Sequence, residues 1–261
     1  MNAYFKTLGA IYYKRLSNYF LPKDNKLYSP FIILCHPRSG STLLHTYLNY
    51  HPNILSLGEY FGGKIRNSNS TDKTNAVELI NEEIFTLYSR SIQSVGVKFF
   101  FQYTDYPLGR DMISLLASRQ SIRVVYLYRE NLLRNLVSLR IAENTGQYTM
   151  WKECQKMEVE KRKIYIPVEE CISQLMRMDE QSNRCKQLFQ NHDILSISYE
   201  SLVNYPTVAL TKVQEFLQVK PHKLQSLLLR QNPEPLTELI ENYNEIKQAL
   251  ASTKWAKMAE E

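Results

Sequence analysis

Glycine is scarce. The 8 glycines among 261 residues amount to about 3%, against an average near 7%, which excludes collagen-like and glycine-rich flexible chains. Long apolar runs are missing too. The longest near the N-terminus, Leu8 to Tyr13, is too short for a bilayer span or a secretory h-region. The four cysteines, at 35, 154, 171 and 185, form no C-x-x-C pair, which removes the usual zinc and dithiol motifs. Cys171 and Cys185 fall on one expected helix, roughly 21 Å apart at about 1.5 Å per residue, too far to bridge. Reduced thiols and a cytoplasmic location follow. No arginine-rich tail or zinc-finger spacing points to nucleic acid. There is no repeat, low-complexity block or interdomain linker.

What is present is an ordinary globular composition, 44% hydrophobic with 18 tyrosines, which excludes a disordered chain or a membrane bundle. A formal charge of +6 suits an anionic ligand or an acidic surface. Lys161-Arg162-Lys163, after Glu158 and Glu160, reads as a solvated helix face. Met1 to Phe20 is aromatic but interrupted by Lys6, Lys14 and Arg15. It reads as a helix packed on the domain, with peripheral membrane contact as the alternative. The chain thus divides into an N-terminal helical segment, 1–30, and a domain, 31–261.

Short apolar or β-branched runs mark strands at Phe31–His36, Ile54–Leu57, Val95–Phe101, Val124–Tyr128 and Asp193–Ser198. Helical spacing follows each of them. It covers Leu43–Leu48, stopped by His51-Pro52, then Val77–Tyr88, Leu108–Ser118, a helix capped by Asn131 with Leu132, Leu136 and Leu139 inward, Val168–Phe189, Ser201–Leu217 and Leu236–Leu250. Residues 62–74 read as loop, and 143–166 as a charged, partly helical insertion. Strands alternating with helices predict an α/β fold, three layers around a mostly parallel sheet with helical insertions.

The strongest local signal is strand, Pro37-Arg38-Ser39-Gly40-Ser41-Thr42, helix. A tight loop opening a helix points N–H groups and a positive dipole end at an anion. Laid on the triphosphate loop G-x-x-x-x-G-K-[ST], Gly40 holds the second glycine and Thr42 the hydroxyl. Cys35 replaces the first glycine and Ser41 the lysine. Arg38 supplies charge instead, and a guanidinium can grip an oxyanion with two parallel bonds. Arg129 ends the fourth strand, where ligands of parallel sheets gather, and Ser138 lies about two turns into the next helix. The pair suits a second phosphate. Taken singly, each feature also has an ordinary structural reading.

Together these motifs resemble the sulfotransferases that use 3′-phosphoadenosine-5′-phosphosulfate (PAPS). Pro37 to Leu44 is similar to their 5′-phosphosulfate loop, and Arg129-Glu130-Asn131-Leu132-Leu133-Arg134-Asn135-Leu136-Val137-Ser138 to the 3′-phosphate motif of the bacterial branch. That branch acts on nodulation factors, lipopolysaccharide and trehalose. Gly96-Val97-Lys98 and Tyr199-Glu200-Ser201-Leu202 extend the similarity, which runs from about 31 to 220. The resemblance implies a P-loop-NTPase-like sulfotransferase topology. It implies PAPS as donor, adenosine 3′,5′-bisphosphate as product, no metal, and a sugar or glycolipid hydroxyl as acceptor. It assigns the cofactor to Arg38, Ser39, Gly40, Ser41, Thr42, Leu43, Arg129, Ser138 and Tyr199, the tyrosine near adenine.

Two family elements are absent. Phe99-Phe100 follows Lys98 where animal enzymes carry threonine-histidine, and their C-terminal lysine-glycine-rich loop has no counterpart. Arg230-Gln231-Asn232 or Lys254-Trp255 are the available substitutes. The first candidate for the base is Glu59, after the second strand; a glutamate near this place is the proposed base of the trehalose enzyme. His36, beside the loop, is the second, and Lys98 is the candidate for stabilising the transferring group. Residues 60–75 and 143–166 are the expected acceptor walls, and nothing sets an oligomeric state. The competing readings are a kinase-like phosphotransferase with an altered phosphate loop and a non-catalytic nucleotide-binding scaffold.

Overall fold

The computed structural model describes residues 27–67, 75–150 and 158–260. The expectations for residues 1–20, Trp151 and Cys154 lie outside these segments. Five strands are described: β1 (Ser29–Cys35), β2 (Ile54–Ser56), β3 (Ser94–Phe100), β4 (Arg123–Tyr128) and β5 (Ile194–Ser198). They form one sheet in the order β2-β3-β1-β4-β5, and every pairing is parallel. β1 is central, with Ile33 opposite Lys98 of β3 and Val125 of β4. All seven residues of β3 are buried, as is Phe31–Cys35 of β1. Successive strand side chains point to opposite faces, so both faces of the sheet are covered.

The α-helices of six residues or more are α1 (Ser41–Tyr50), α2 (Pro107–Ala117), α3 (Leu132–Thr145), α4 (Val168–Leu188), α5 (Tyr199–Asn204), α6 (Pro206–Phe216) and α7 (Tyr243–Leu250). Asn131 caps α3, its side-chain oxygen accepting from the Arg134 N–H at 2.9 Å. No helix among the described residues is long and apolar enough to cross a membrane.

Several boundaries differ from those read in the sequence. The single helix expected over Ser201–Leu217 is two, because Pro206 lacks an N–H and instead starts α6 at its first turn. Val77–Tyr88 becomes a short α turn followed by a π-helix, Leu79–Ile84. Gly62–Arg66 is helical where loop was expected. The last helix is interrupted at Ile240, which pairs with Ile164 in an isolated parallel bridge. On α3 the buried apolar residues are Leu133, Leu136, Val137, Ile141 and Ala142, while Leu132 and Leu139 are partly exposed. That helix carries a second apolar cluster, shared with α7 and Trp255, so its inward face is broader than one stripe.

Lys161 and Lys163 are exposed, as the solvated reading of the 161–163 cluster expects, but Arg162 is not. It is only 3% exposed. Its guanidinium donates to both Glu234 carboxylate oxygens at 2.7 and 2.8 Å, and to the Gln231 carbonyl and Asn232 Oδ1 at 3.1 Å each. A buried cation is tolerated when paired and fully bonded, and here it fastens residues 231–234 to the body of the domain. Glu234→Ala leaves that cation unpaired and is expected to cost about 3–5 kcal/mol in urea unfolding. Glu158→Ala, which removes an exposed pair with Lys161, is expected to cost at most about 1 kcal/mol.

Candidate active site

In this strand order the chain leaving β1 travels toward β2, and the chain leaving β4 travels toward β5. Adjacent parallel strands whose exits diverge open a crevice at their C-terminal ends. The 36–40 loop and Arg129 stand on its two sides.

The loop turns on Gly40, whose φ of 84° is left-handed. A Cβ there would also lie 2.6 Å from Tyr199 Cδ2, so glycine serves both the turn and the ring packed on it. Arg38 has φ 66°, a conformation that costs a non-glycine residue on the order of 1 kcal/mol or more. Ser39 is fully buried, and its hydroxyl accepts from Asn135 Nδ2 at 3.0 Å, tying the loop to α3. No side chain caps α1 and its first turn holds no acidic residue, so its N-terminal N–H groups and dipole meet the crevice uncompensated.

Both guanidiniums line one cleft of about 230 Å³, shared with Gly40, Ser41, Thr42, Leu43, Ser138 and Tyr199. Arg38 Nε donates to Ser138 Oγ at 3.1 Å, and its other nitrogens donate to the Tyr148 carbonyl and to Gln231 Oε1. Arg129 is 7% exposed, with its guanidinium 4.8 Å above the Tyr199 ring. Its Nε is buried without a hydrogen-bond partner, and the nearest carboxylate oxygen, of Glu200, is 3.9 Å away. The pKa of Arg129 is lowered to about 10, chiefly by burial, with Tyr199 and Glu200 opposing and Arg134 and Arg230 adding to the fall. Burial lowers Arg38 as well. Two desolvated cations on one cleft make a strong anion site.

Lys98 and Glu59 stand on the other side of the loop. Lys98, near the C-terminal end of β3, is buried, and its Nζ donates to Thr42 Oγ1 at 3.4 Å. Burial lowers its pKa, while Cys35 and Glu59 hold it up. Glu59 follows β2; its Oε1 accepts from Tyr103 Oη at 2.5 Å and from Arg66 at 3.3 Å. Cys35 lies beneath, its thiol pushed up to about 12 by burial.

His36 is not brought into the cleft. Its Nε2–H donates to the Met178 carbonyl of α4 at 2.9 Å, and Ser182 Oγ lies 2.9 Å from the same nitrogen. The ring packs edge-on against Phe101. His45 and His51 are likewise bonded within the fold, to Ser56 and to the Lys220 carbonyl.

Of the two substitutes for the missing C-terminal loop, Arg230-Gln231-Asn232 lines the cleft, with Asn232 Nδ2 3.4 Å from Ser138 Oγ. Lys254 instead pairs with Asp179, and Trp255 is buried in the second apolar cluster. Sequence reasoning missed Tyr47, Val203, Leu228 and Leu229 as cleft walls, and the 148–150 strip, expected at the acceptor, lines this cleft. Leu229 N–H donates to the Met150 carbonyl at 2.9 Å and Gln231 Nε2 to the Gln147 carbonyl at 3.0 Å. The two strips are therefore joined over one end of the cleft, a pairing of residues about 80 apart that no local motif announces.

No protein-family model matches the chain. It is 30% identical over 240 residues to nodulation protein H of Rhizobium tropici, covering 88% of this chain and 93% of that one. It is 27% identical over 242 residues to nodulation protein H of Rhizobium meliloti strain 1021, covering 88% and 95%. A sulfotransferase from Alicyclobacillus acidocaldarius superposes with a TM-score of 0.50 at 15% identity, over 88% of this chain and 92% of that one. Fold and family together define a bacterial sulfotransferase. Within that class the chain belongs to the nodulation protein H family.

The structural placement of His36 has a measurable consequence. Burial lowers its pKa from 6.5 to about 4, so the folded state keeps it neutral where the unfolded chain is protonated. Its contribution is complete above pH 6.5 and is lost as pH falls toward 4. Between pH 7 and 5 the wild type should lose about 2 kcal/mol through this residue. His36→Gln should lose correspondingly less over the same interval, read from urea midpoints at the two pH values.

Proposed function

We propose that the protein transfers a sulfuryl group from PAPS to a hydroxyl of a sugar or glycolipid. The observation that carries this reading is the Arg129 guanidinium, buried in the cleft shared with Arg38 and with one nitrogen lacking a partner. A 3′-phosphate oxygen supplies the missing acceptor. The 5′-phosphosulfate falls to the N–H groups of Gly40 to Thr42 and the hydroxyls of Ser41 and Thr42, with Leu43 behind them, and Tyr199 offers its ring to the adenine, while Ser39, fully buried and bonded to Asn135, supports the loop from beneath instead of touching the donor. The residues present fit this donor with one qualification of the sequence reading: Ser138 is bonded to Arg38, so the two phosphate subsites share a member.

The transfer is an in-line displacement at sulfur. The acceptor oxygen forms a bond to sulfur, the bond from sulfur to the 5′-phosphate oxygen breaks, and adenosine 3′,5′-bisphosphate leaves. Glu59 takes the hydroxyl proton as general base. Lys98, held at Thr42, stabilises negative charge on the sulfuryl and bridging oxygens. His36, with its Nε2–H bonded to α4 and its ring away from the cleft, is not placed to take the proton. The acceptor class follows the resemblance to carbohydrate sulfotransferases and the relatives named for nodulation. Of the expected acceptor walls, Tyr148 lines the donor cleft instead, and residues 68–74 and 151–157 lie outside the described segments. A cytoplasmic location, with reduced buried thiols, completes the reading.

Arg129→Ala should weaken adenosine 3′,5′-bisphosphate by about 30-fold or more, as expected for losing a buried charged contact, while adenosine 5′-monophosphate changes little; equal losses in calorimetry would contradict the 3′-phosphate role. Glu59→Gln should lower turnover of labelled PAPS by about 10²–10⁴ at unchanged bisphosphate affinity. Tight magnesium-dependent ATP binding would favour a kinase instead.

A further inference from the structure

Glu59 does not stand alone. Among the described residues its Oε1 takes two donated bonds, from Tyr103 and Arg66, and its Oε2 takes none. Tyr103 is fully buried. Its ring meets Phe99 edge-on at 5.4 Å and Phe100 at 5.5 Å between centroids, so the phenol cannot swing without disturbing the end of β3.

Two glycines pack closely on this residue, one at its hydroxyl and one at its backbone. At Gly62 a Cβ would lie 2.7 Å from Glu59 Oε1 and 2.7 Å from Tyr103 Oη. Any side chain there would push into the hydrogen bond itself. At Gly109, on α2, a Cβ would lie 1.8 Å from the Tyr103 carbonyl oxygen. The helix therefore presses directly on the backbone that carries the tyrosine. A hydroxyl whose only task was to find a partner would need neither constraint, because a one-third exposed carboxylate is an easy partner.

We propose that Tyr103 is a positioning residue for the transfer reaction: its hydroxyl, with Arg66, fixes one oxygen of Glu59 and leaves the other to accept the proton of the acceptor hydroxyl. The proposal rests on Glu59 being the base. A carboxylate has acceptor sites on both oxygens, and two donors on one oxygen settle which oxygen remains for chemistry. Fixing a base matters because a misplacement near 1 Å can cost about 10²-fold in rate. Lys98 couples this carboxylate to the loop, since it interacts electrostatically with Glu59 and reaches Thr42 Oγ1. The chain of support runs from α2 through Gly109 to Tyr103 and then to Glu59. None of its members belongs to the loop or to the Arg129–Ser138 motif.

The test is Tyr103→Phe, which removes one oxygen atom and keeps the ring. Turnover of labelled PAPS should fall about 10–100-fold, with the affinity for adenosine 3′,5′-bisphosphate within about 3-fold of wild type. Arg66→Gln alters a half-exposed side chain and should lower turnover about 3-fold, again without a change in affinity; it carries the test should the tyrosine variant not fold. Wild-type turnover in Tyr103→Phe, or in Arg66→Gln as the sole folded variant, alongside an inactive Glu59→Gln overturns the positioning role and leaves Glu59 as the base. Full turnover in Glu59→Gln removes the base and this proposal with it. Equal loss of turnover and nucleotide affinity in Tyr103→Phe shows a general structural effect and also overturns it.

Discussion

Two guanidiniums on one crevice, Arg129 buried and Arg38 partly so, are the constraint to which the rest of the site answers. Taking a charge out of water is expensive unless something repays it. Arg162, elsewhere in the domain, is repaid within the chain by Glu234 and two further acceptors. Arg129 is not: its nearest carboxylate stands at 3.9 Å and one of its nitrogens is unbonded. The contrast between these two buried arginines is what singles out Arg129 as the candidate for binding. The fold accommodates Arg129 with the Tyr199 face beside it, a long hydrogen bond to the Arg134 carbonyl and the distant Glu200 carboxylate.

The sheet order makes this arrangement possible. Because β1 and β4 are neighbours with diverging exits, the 36–40 loop and Arg129 face each other although they lie about 90 residues apart in sequence. Residues 228–232, bolted down through Arg162 and Glu234, then close over the same space. Donor groups thus gather on the β4 side of the loop, and Lys98 with Glu59 on the β3 side. The loop lies between them.

Much of this was legible in the sequence because it is written locally. The apolar runs gave the strands to within a residue or two, and Asn131 announced its cap. The loop motif and the Arg129–Ser138 motif each have a fixed spacing that reports their chemistry. What was illegible depends on contacts between distant segments. Arg162 read as solvated because its neighbours are charged, and only the fold brings Glu234 to it. His36 sits next to the loop, yet strand phase turns its ring toward α4. Tyr103 carries no motif at all. Its relation to Glu59 exists because Gly62 and Gly109 allow three segments to approach closely.

The most direct measurement is a crystal structure of the protein with adenosine 3′,5′-bisphosphate. The account predicts a 3′-phosphate oxygen at hydrogen-bond distance from Arg129 Nε and the 5′-phosphate on the N–H groups that open α1. A nucleotide bound elsewhere, or one whose 3′-phosphate leaves Arg129 Nε without a partner, would contradict it.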